Sequence, residues 1–349
     1  MISISPERFE LETPDHVQIR LTRLRGGTKG PVLVAHGVGV WSGMFTLETV
    51  RENFAQFLVN HGFDVWLLDW RGSIQLPLTQ FTLDDVAEND FPAAVDYILG
   101  KTKADSLQAV VHCAGSAAFF MALASGRLAN KIRCVACSQV ALHFAVPPAT
   151  ELKSLIRLPE LLDAMGVRYM TPTDDTEYRV FQEAFGSFVD LVHHECTSTI
   201  CHRLTFLYGH LYEHATTNPA THDRLAEQYG KCNITAFRHL AQLARSGVAT
   251  RYDYGSRENL KRYQRKTPPT YLQPEHLQLP ITFVSGAKNG TFVPRSTELT
   301  HDWLVQHNGP ERYKRHVIAG YGHIDSFMGS AANRDVYPHF LEQLEAYPA

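Results

Sequence analysis

Hydrophobic and polar positions along the chain fall into two rhythms. Residues 7–25 alternate, as in Phe9-Glu-Leu-Glu12 and Val17-Gln-Ile-Arg-Leu-Thr22, with Thr13-Pro14-Asp15 between the runs. Period-two alternation around a turn predicts an N-terminal hairpin. The segments Pro31–His36, Phe63–Asp69, Leu107–His112 and Cys134–Val140 are instead nearly continuous apolar runs. Such runs predict strands covered on both faces. Helical periodicity occupies Thr49–Asn60, Asp84–Leu99 and Ser116–Ser125, the first two stopping at Gly62 and Gly100. A glycine just past the last periodic residue suits a helix C-terminus.

From His143 to about His276 no buried-strand run occurs, and the helix-like segments are rich in Leu, Phe, Tyr and His. The strand rhythm resumes at Leu279–Gly286 and Tyr313–Ile318, and a terminal helix is expected from about Tyr337 to Leu344. Strand–helix–strand alternation with short connections predicts an α/β fold, a mostly parallel central sheet flanked by helices. Residues 1–142 and 277–349 are expected to form its core. Residues 143–276 are expected to form a large helical cap between the sixth and seventh strands.

Composition narrows this picture. The 349 residues are 44% hydrophobic and 20% charged with a net charge of −3, values of an ordinary globular protein. That charge gives no reason to expect nucleic acid or an anionic membrane as partner. No stretch reaches the roughly 18 uninterrupted apolar residues of a membrane span. The start, Met-Ile-Ser-Ile-Ser-Pro-Glu, lacks a basic segment followed by an apolar run, and a cytoplasmic location is expected. The six cysteines, Cys113, Cys134, Cys137, Cys196, Cys201 and Cys232, are then expected as thiols.

The candidate chemistry lies where strands end. Val110-Val-His-Cys-Ala-Gly-Ser116 joins a buried strand to a helix of small residues. A strand, a sharp turn and a helix, with small residues beside the central one, form a nucleophile elbow. Cys113 takes the central position, Ala114 and Gly115 satisfy the downstream side, and Val111 stands where a glycine is usual. The helix N-terminus beside Cys113 should favour its thiolate and supply the Ala114 N–H as one oxyanion donor. His112 is expected to be structural. His36-Gly-Val-Gly39 follows the first central strand, where the second donor is expected, most simply the Val38 N–H. Gly320-Tyr-Gly-His323 follows the last strand, the slot of the general base. The residue orienting that base is open between Asn289, Asp325 and the downstream Glu298 and Asp302. Asn289 occupies the position where aspartate is usual, and an amide oxygen can accept the imidazole N–H.

Taken together, these segments resemble α/β hydrolases related to the acid lipases. The resemblance is nearest to the hydrolase-like domain fused to cholesterol-oxidase-type flavoproteins. It rests on His61-Gly-Phe-Asp-Val-Trp-Leu-Leu-Asp-Trp-Arg-Gly-Ser73, Val111–Ser116, Gly209-His-Leu-Tyr-Glu-His214, Gly320–Asp325, and Asn289 with Phe292-Val-Pro294. A weaker resemblance, through the elbow cysteine, is to polyhydroxyalkanoate synthases and depolymerases. Acid lipases carry serine at the elbow and aspartate at the position of Asn289, so Cys113 and Asn289 both depart from the pattern. The resemblance implies the α/β-hydrolase fold and acyl chemistry. No flavin-binding module is visible, and no cofactor is expected.

The expected reaction is therefore cleavage of a hydrophobic ester, lactone or thioester through an acyl-Cys113 intermediate. The substrate would be a hydrophobic small molecule or a carrier-bound acyl group. Transfer to another acceptor and a silent ligand-binding module are the alternatives. His210 and His214, four apart, are expected at the pocket entrance. His193-His-Glu-Cys196 and Cys201-His202 invite a zinc reading, but their spacing matches no finger or ribbon, and no metal is expected.

Overall fold

The computed structural model describes residues 5–173 and 196–348. Its central sheet has eight strands: β1 (Glu7–Glu12), β2 (Gln18–Arg25), β3 (Pro31–Ala35), β4 (Asp64–Asp69), β5 (Leu107–His112), β6 (Ile132–Ser138), β7 (Ile281–Gly286) and β8 (Tyr313–Ile318). They lie in the order β1-β2-β4-β3-β5-β6-β7-β8. The hairpin β1–β2 and the β2–β4 pair are antiparallel, and every other pair is parallel.

The central strands β3, β4 and β5 are buried at every position, which explains their unbroken apolar runs. Alternate residues feed two cores. Leu33, Trp66 and Val111 pack on one face with Phe91 and Phe119. Val34, Leu67 and Val110 pack on the other with Phe54, Tyr337 and Phe340. The helix α1, Cys113–Ala124, follows β5 and is buried along its whole length. It carries Ala, Phe and Met all round, as a helix enclosed on every side requires.

Two expected helices differ from their periodicity. The first begins at Phe54 instead of Thr49, because the Asn53 side chain accepts the Gln56 N–H and caps it there. The second begins at Leu83, passes through one π-helical turn at Val86–Asp90, and continues from Phe91 to Thr102. Lys103 in the left-handed conformation closes it, three residues beyond the expected stop at Gly100.

Between β6 and β7 the described chain is mainly helical, including Thr199–Tyr208 and Ile234–Ser246. Tyr169–Met170 and Cys232–Asn233 form a short antiparallel pair within it. This segment touches the sheet's C-terminal ends: Gly230 N–H donates to Gly39, and His210 forms a β-bridge with Gly290. No helix among the described residues is long and apolar enough to cross a membrane.

Candidate active site

Cys113 is the first residue of α1 and has φ 56°. A non-glycine residue there carries backbone strain, which the flanking strand and helix must hold in place. Small neighbours make the turn possible. A Cβ on Gly115 would come within 2.1 Å of the His36 carbonyl oxygen. A Cβ on Gly37 would lie 2.8 Å from Cys113 Cβ and 3.1 Å from its Sγ. The loop after β3 therefore presses against the sulfur.

The backbone N–H groups of Ala114 and Val38 lie beside the Cys113 thiol, and both favour its charged form. Donors from the helix start and the β3 loop thus converge on one atom. Cys113 Sγ and ring nitrogens of His112 and His323 lie within 4.8 Å of one another. The two imidazoles sit 4.7 Å apart between centroids, and His112 Nδ1 shares a hydrogen bond with Ser138 Oγ at 3.0 Å. Both nitrogens of His323 are buried with no hydrogen-bond partner among the described residues.

The expected thiolate is not the favoured state. Burial pushes the Cys113 thiol up to about 12, against the opposing pull of the Ala114 and Val38 amides. Burial pulls His323 down to about 3. Desolvation disfavours the charged form of each group, and here it outweighs the helix N-terminus. The resting pair is a thiol and a neutral imidazole.

Neither main candidate for the orienting residue hydrogen-bonds to His323. Asn289 Oδ1 accepts the backbone N–H of Thr291 at 3.0 Å and of Phe292 at 3.2 Å. Its Nδ2 donates to Gln139 Oε1 at 2.7 Å, while Gln139 Nε2 donates to Ser326 Oγ at 2.7 Å. Asn289 thus builds its own turn and joins it, through Gln139 at the end of β6, to the loop after His323. Asp325 accepts Gly322 N–H at 2.8 Å and Thr216 Oγ1–H at 2.6 Å, bracing the same loop. Glu298 and Asp302 lie on the helix Arg295–Asn308, where Glu298 pairs with Arg295 and Asp302 with His301.

Above the sulfur stand residues that the sequence did not single out. The hydroxyls of Tyr208 and Tyr229 are buried with no hydrogen-bond partner among the described residues. A Cβ on Gly39 would come within 2.1 Å of Tyr208 Oη, which puts this phenol against the β3 loop. Burial holds both phenols well above their ordinary value, and a charge on Cys113 would raise them further. Only their aromatic character was legible in the sequence.

An apolar cavity, partly open to solvent, is lined by Tyr208 and Phe292. Leu162, Ile234, Phe237 and Leu240 are among the residues lining it. Phe292 lies 6.0 Å from the His323 ring and so connects this cavity to the site. His210 and His214, expected at the pocket entrance, do not line this cavity. His210 Nε2 bonds Glu213 Oε1 at 2.9 Å, and His214 Nε2 faces Cys201 Sγ at 3.7 Å.

A strained residue at a strand–helix junction, two backbone amides beside it and a histidine from the loop after the last strand thus come together at the C-terminal ends of the sheet. The chain belongs to the alpha/beta hydrolase fold family, whose pattern it matches over residues 30–330. Triacylglycerol lipase 1 of Arabidopsis thaliana is 26% identical over 344 residues, 93% of this chain and 81% of the relative. Lysosomal acid lipase/cholesteryl ester hydrolase of Macaca fascicularis is 26% identical over 328 residues, 86% of this chain and 75% of the relative. Among solved structures, a soluble variant of the monoglyceride lipase from Saccharomyces cerevisiae superposes with a TM-score of 0.61 at 14% identity, covering 100% of this chain and 97% of that one. A thermophilic esterase from Thermogutta terrifontis gives 0.60 at 14% identity, covering 98% and 100%. The protein is an acid-lipase-related hydrolase of the esterase and lipase type.

Proposed function

We propose that the protein cleaves a hydrophobic ester or thioester through a covalent acyl-Cys113 intermediate, with His323 as general base. The observation that carries this reading is the convergence on Cys113 Sγ of the Val38 and Ala114 amides, with His323 in the same cluster. In the first half-reaction His323 takes the thiol proton as sulfur attacks the carbonyl carbon. The tetrahedral oxyanion is held by the two amides, each donor of this kind being worth about 3 kcal/mol. The bond to the leaving group breaks, and His323 returns the proton to the departing alcohol or thiol. Water then attacks the thioester while His323 takes its proton. The Cys113 sulfur leaves and regains a proton from the imidazolium.

Because the resting pair is neutral, the proton moves only as the carbonyl arrives. Negative charge then passes from sulfur to an oxygen already facing two donors, so the buried site never holds an uncompensated thiolate. No carboxylate among the described residues bonds His323, and the imidazolium exists only beside that oxyanion. The apolar cavity beside Tyr208 and Phe292 fits an acyl chain or a comparable lipid-like group. The lipid substrates in the names of the relatives point the same way.

A second reading, transfer of the acyl group to a non-water acceptor, draws on the burial of His323, which is 1% exposed. Water is scarce there, and a thioester is a good acyl donor. Intact-mass analysis with activated esters and acyl thioesters of graded chain length tests both readings. An adduct on the parent protein, absent from Cys113→Ala, is expected. Its decay with and without added alcohols, amines or thiols separates hydrolysis from transfer. Unlabelled Cys113 with every donor would overturn the covalent mechanism in favour of a ligand-binding module.

A further inference from the structure

A second thiol–imidazole cluster lies in the segment between β6 and β7, away from the elbow. Cys196 Sγ, Cys201 Sγ and one ring nitrogen each of His214 and His222 all lie within 4.8 Å of one another. Cys196 Sγ is 3.5 Å from His222 Nε2, and Cys201 Sγ is 3.7 Å from His214 Nε2. The imidazole centroids are 5.1 Å apart. These residues arrive from different pieces of chain. Cys201 sits in the first turn of the helix Thr199–Tyr208, and Cys196 just precedes it. His222 lies in the short helix Pro219–Asp223, and His214 in the connection between. Their intervals in sequence are those of no finger or ribbon, so only the fold unites them.

We propose that these four residues bind one zinc ion. With Zn–S of about 2.3 Å and Zn–N of about 2.0–2.1 Å, a tetrahedral site separates sulfur from nitrogen by about 3.6 Å. The two sulfur–nitrogen distances already fall on either side of that value. Two thiolates and two neutral imidazoles complete four-coordination and balance the 2+ charge, and they suit zinc better than a hard, oxygen-seeking cation. On binding, both thiols give their protons to solvent while the imidazoles donate as neutral ligands. Tyr212 Oη donates to Cys201 Sγ at 2.9 Å, the outer contact that steadies a metal-bound thiolate. None of the six cysteines is in a disulfide, so no disulfide competes within the cluster.

The site would be structural, with no open position for substrate. It would brace residues 209–216, which hold the loop carrying His323. Leu211 O accepts the N–H of His323 at 2.7 Å and of Ile324 at 2.8 Å, and Thr216 Oγ1 donates to Asp325. This inference stands apart from the covalent mechanism, and its test does not read activity.

Elemental analysis of the purified full-length protein is expected to return one zinc per chain after exhaustive dialysis. After chelation, Co²⁺ titration of the parent protein should produce thiolate-to-cobalt charge-transfer bands and the intense visible bands of a tetrahedral site. Those bands should saturate at one equivalent and be displaced by Zn²⁺, and Zn²⁺ should raise the melting temperature. Cys201→Ser and His222→Ala should lose the bands. Because either variant could misfold, the parent titration is the decisive reading. A chelated parent protein that folds, exposes its thiols, and shows no thiolate–cobalt bands would overturn the proposal. A mass two protons lighter under non-reducing conditions, localised to a Cys196–Cys201 disulfide, would overturn it as well.

Discussion

The elbow cluster and the Cys196 cluster are built from the same two side-chain types at similar separations, yet their settings differ in every other respect. At the elbow, Cys113 is strained, buried, and faced by two backbone amides, one from the helix start and one from the loop after β3. In the other cluster, Cys196, His214 and His222 are half-buried, and each sulfur faces an imidazole nitrogen contributed by a loop or a short helix. A thiol beside an imidazole therefore does not define a chemistry. Amides aimed at sulfur make a place for a developing oxyanion, whereas four converging soft donors make a place for a cation.

Exchanging the sulfur is the strongest way to break this contrast. Cys113→Ala and His323→Ala should each lower kcat by on the order of 10⁴-fold or more, measured with an activated ester. Cys196→Ala should leave the acylation chemistry intact in whatever fraction folds. Equal losses at both clusters would erase the distinction.

Next in size is the donor loop. Gly37→Ala puts a methyl 2.8 Å from Cys113 Cβ, so the loop must shift and carry the Val38 amide with it. A loss of about 10²–10³ in kcat is expected, read as the single-turnover acylation rate. Retained activity would remove Val38 as an oxyanion donor.

The pH response sharpens the comparison further. His323 is depressed to about 3, so protonation disables the base only in strong acid. The acid limb of kcat/KM should fall well below the ordinary imidazole value of roughly 6.5. With the Cys113 thiol near 12, iodoacetamide should label it slowly at mildly alkaline pH unless substrate analogues reorganise the site. Linkage gives the matching sign for stability. The unfolded chain binds the His323 proton first as pH falls, so this contribution is lost from about pH 6.5 down toward 3. Denaturant titrations of the parent and His323→Gln would show that difference narrowing. A limb near 6.5 would show that the imidazole is less enclosed in solution.

The smallest effect is expected at Asn289. Its carboxamide serves its own turn and Gln139, so Asn289→Ala should lower kcat by less than about 10-fold while costing about 1–3 kcal/mol of stability. A loss comparable to that of His323→Ala would instead make Asn289 an orienting residue during turnover.

The central strands were legible because burial on both faces leaves a plain mark in sequence: β5 has the bounds its apolar run predicts. The edge strand β8 also has its expected bounds, although its sequence is mixed and only Tyr313 is buried. The elbow, the glycine loop and the terminal histidine were legible because each follows directly from a strand. Features set by long-range packing were not. The state of Cys113 depends on burial beneath a segment about a hundred positions downstream, where Tyr208, Tyr229 and Cys232 come close enough to feel a charge on its sulfur. Asn289 was placed by analogy with a position, but its hydrogen bonds are decided by Gln139, whose amide has no sequence signature. The four residues of the second cluster span an interval of 27 positions without a recognisable spacing. His193, His194 and Glu195, which drew attention beside Cys196, lie outside the described residues.

The carbonyl of Leu211, which accepts the backbone N–H groups of both His323 and Ile324, ties the proton acceptor to the roof of its own chamber. Lifting residues 209–216 away from the sheet must break those two bonds and release the imidazole from its register with sulfur. Any opening at that joint therefore takes the imidazole from its place beside the sulfur, so the segment that covers the site is also part of what aligns it.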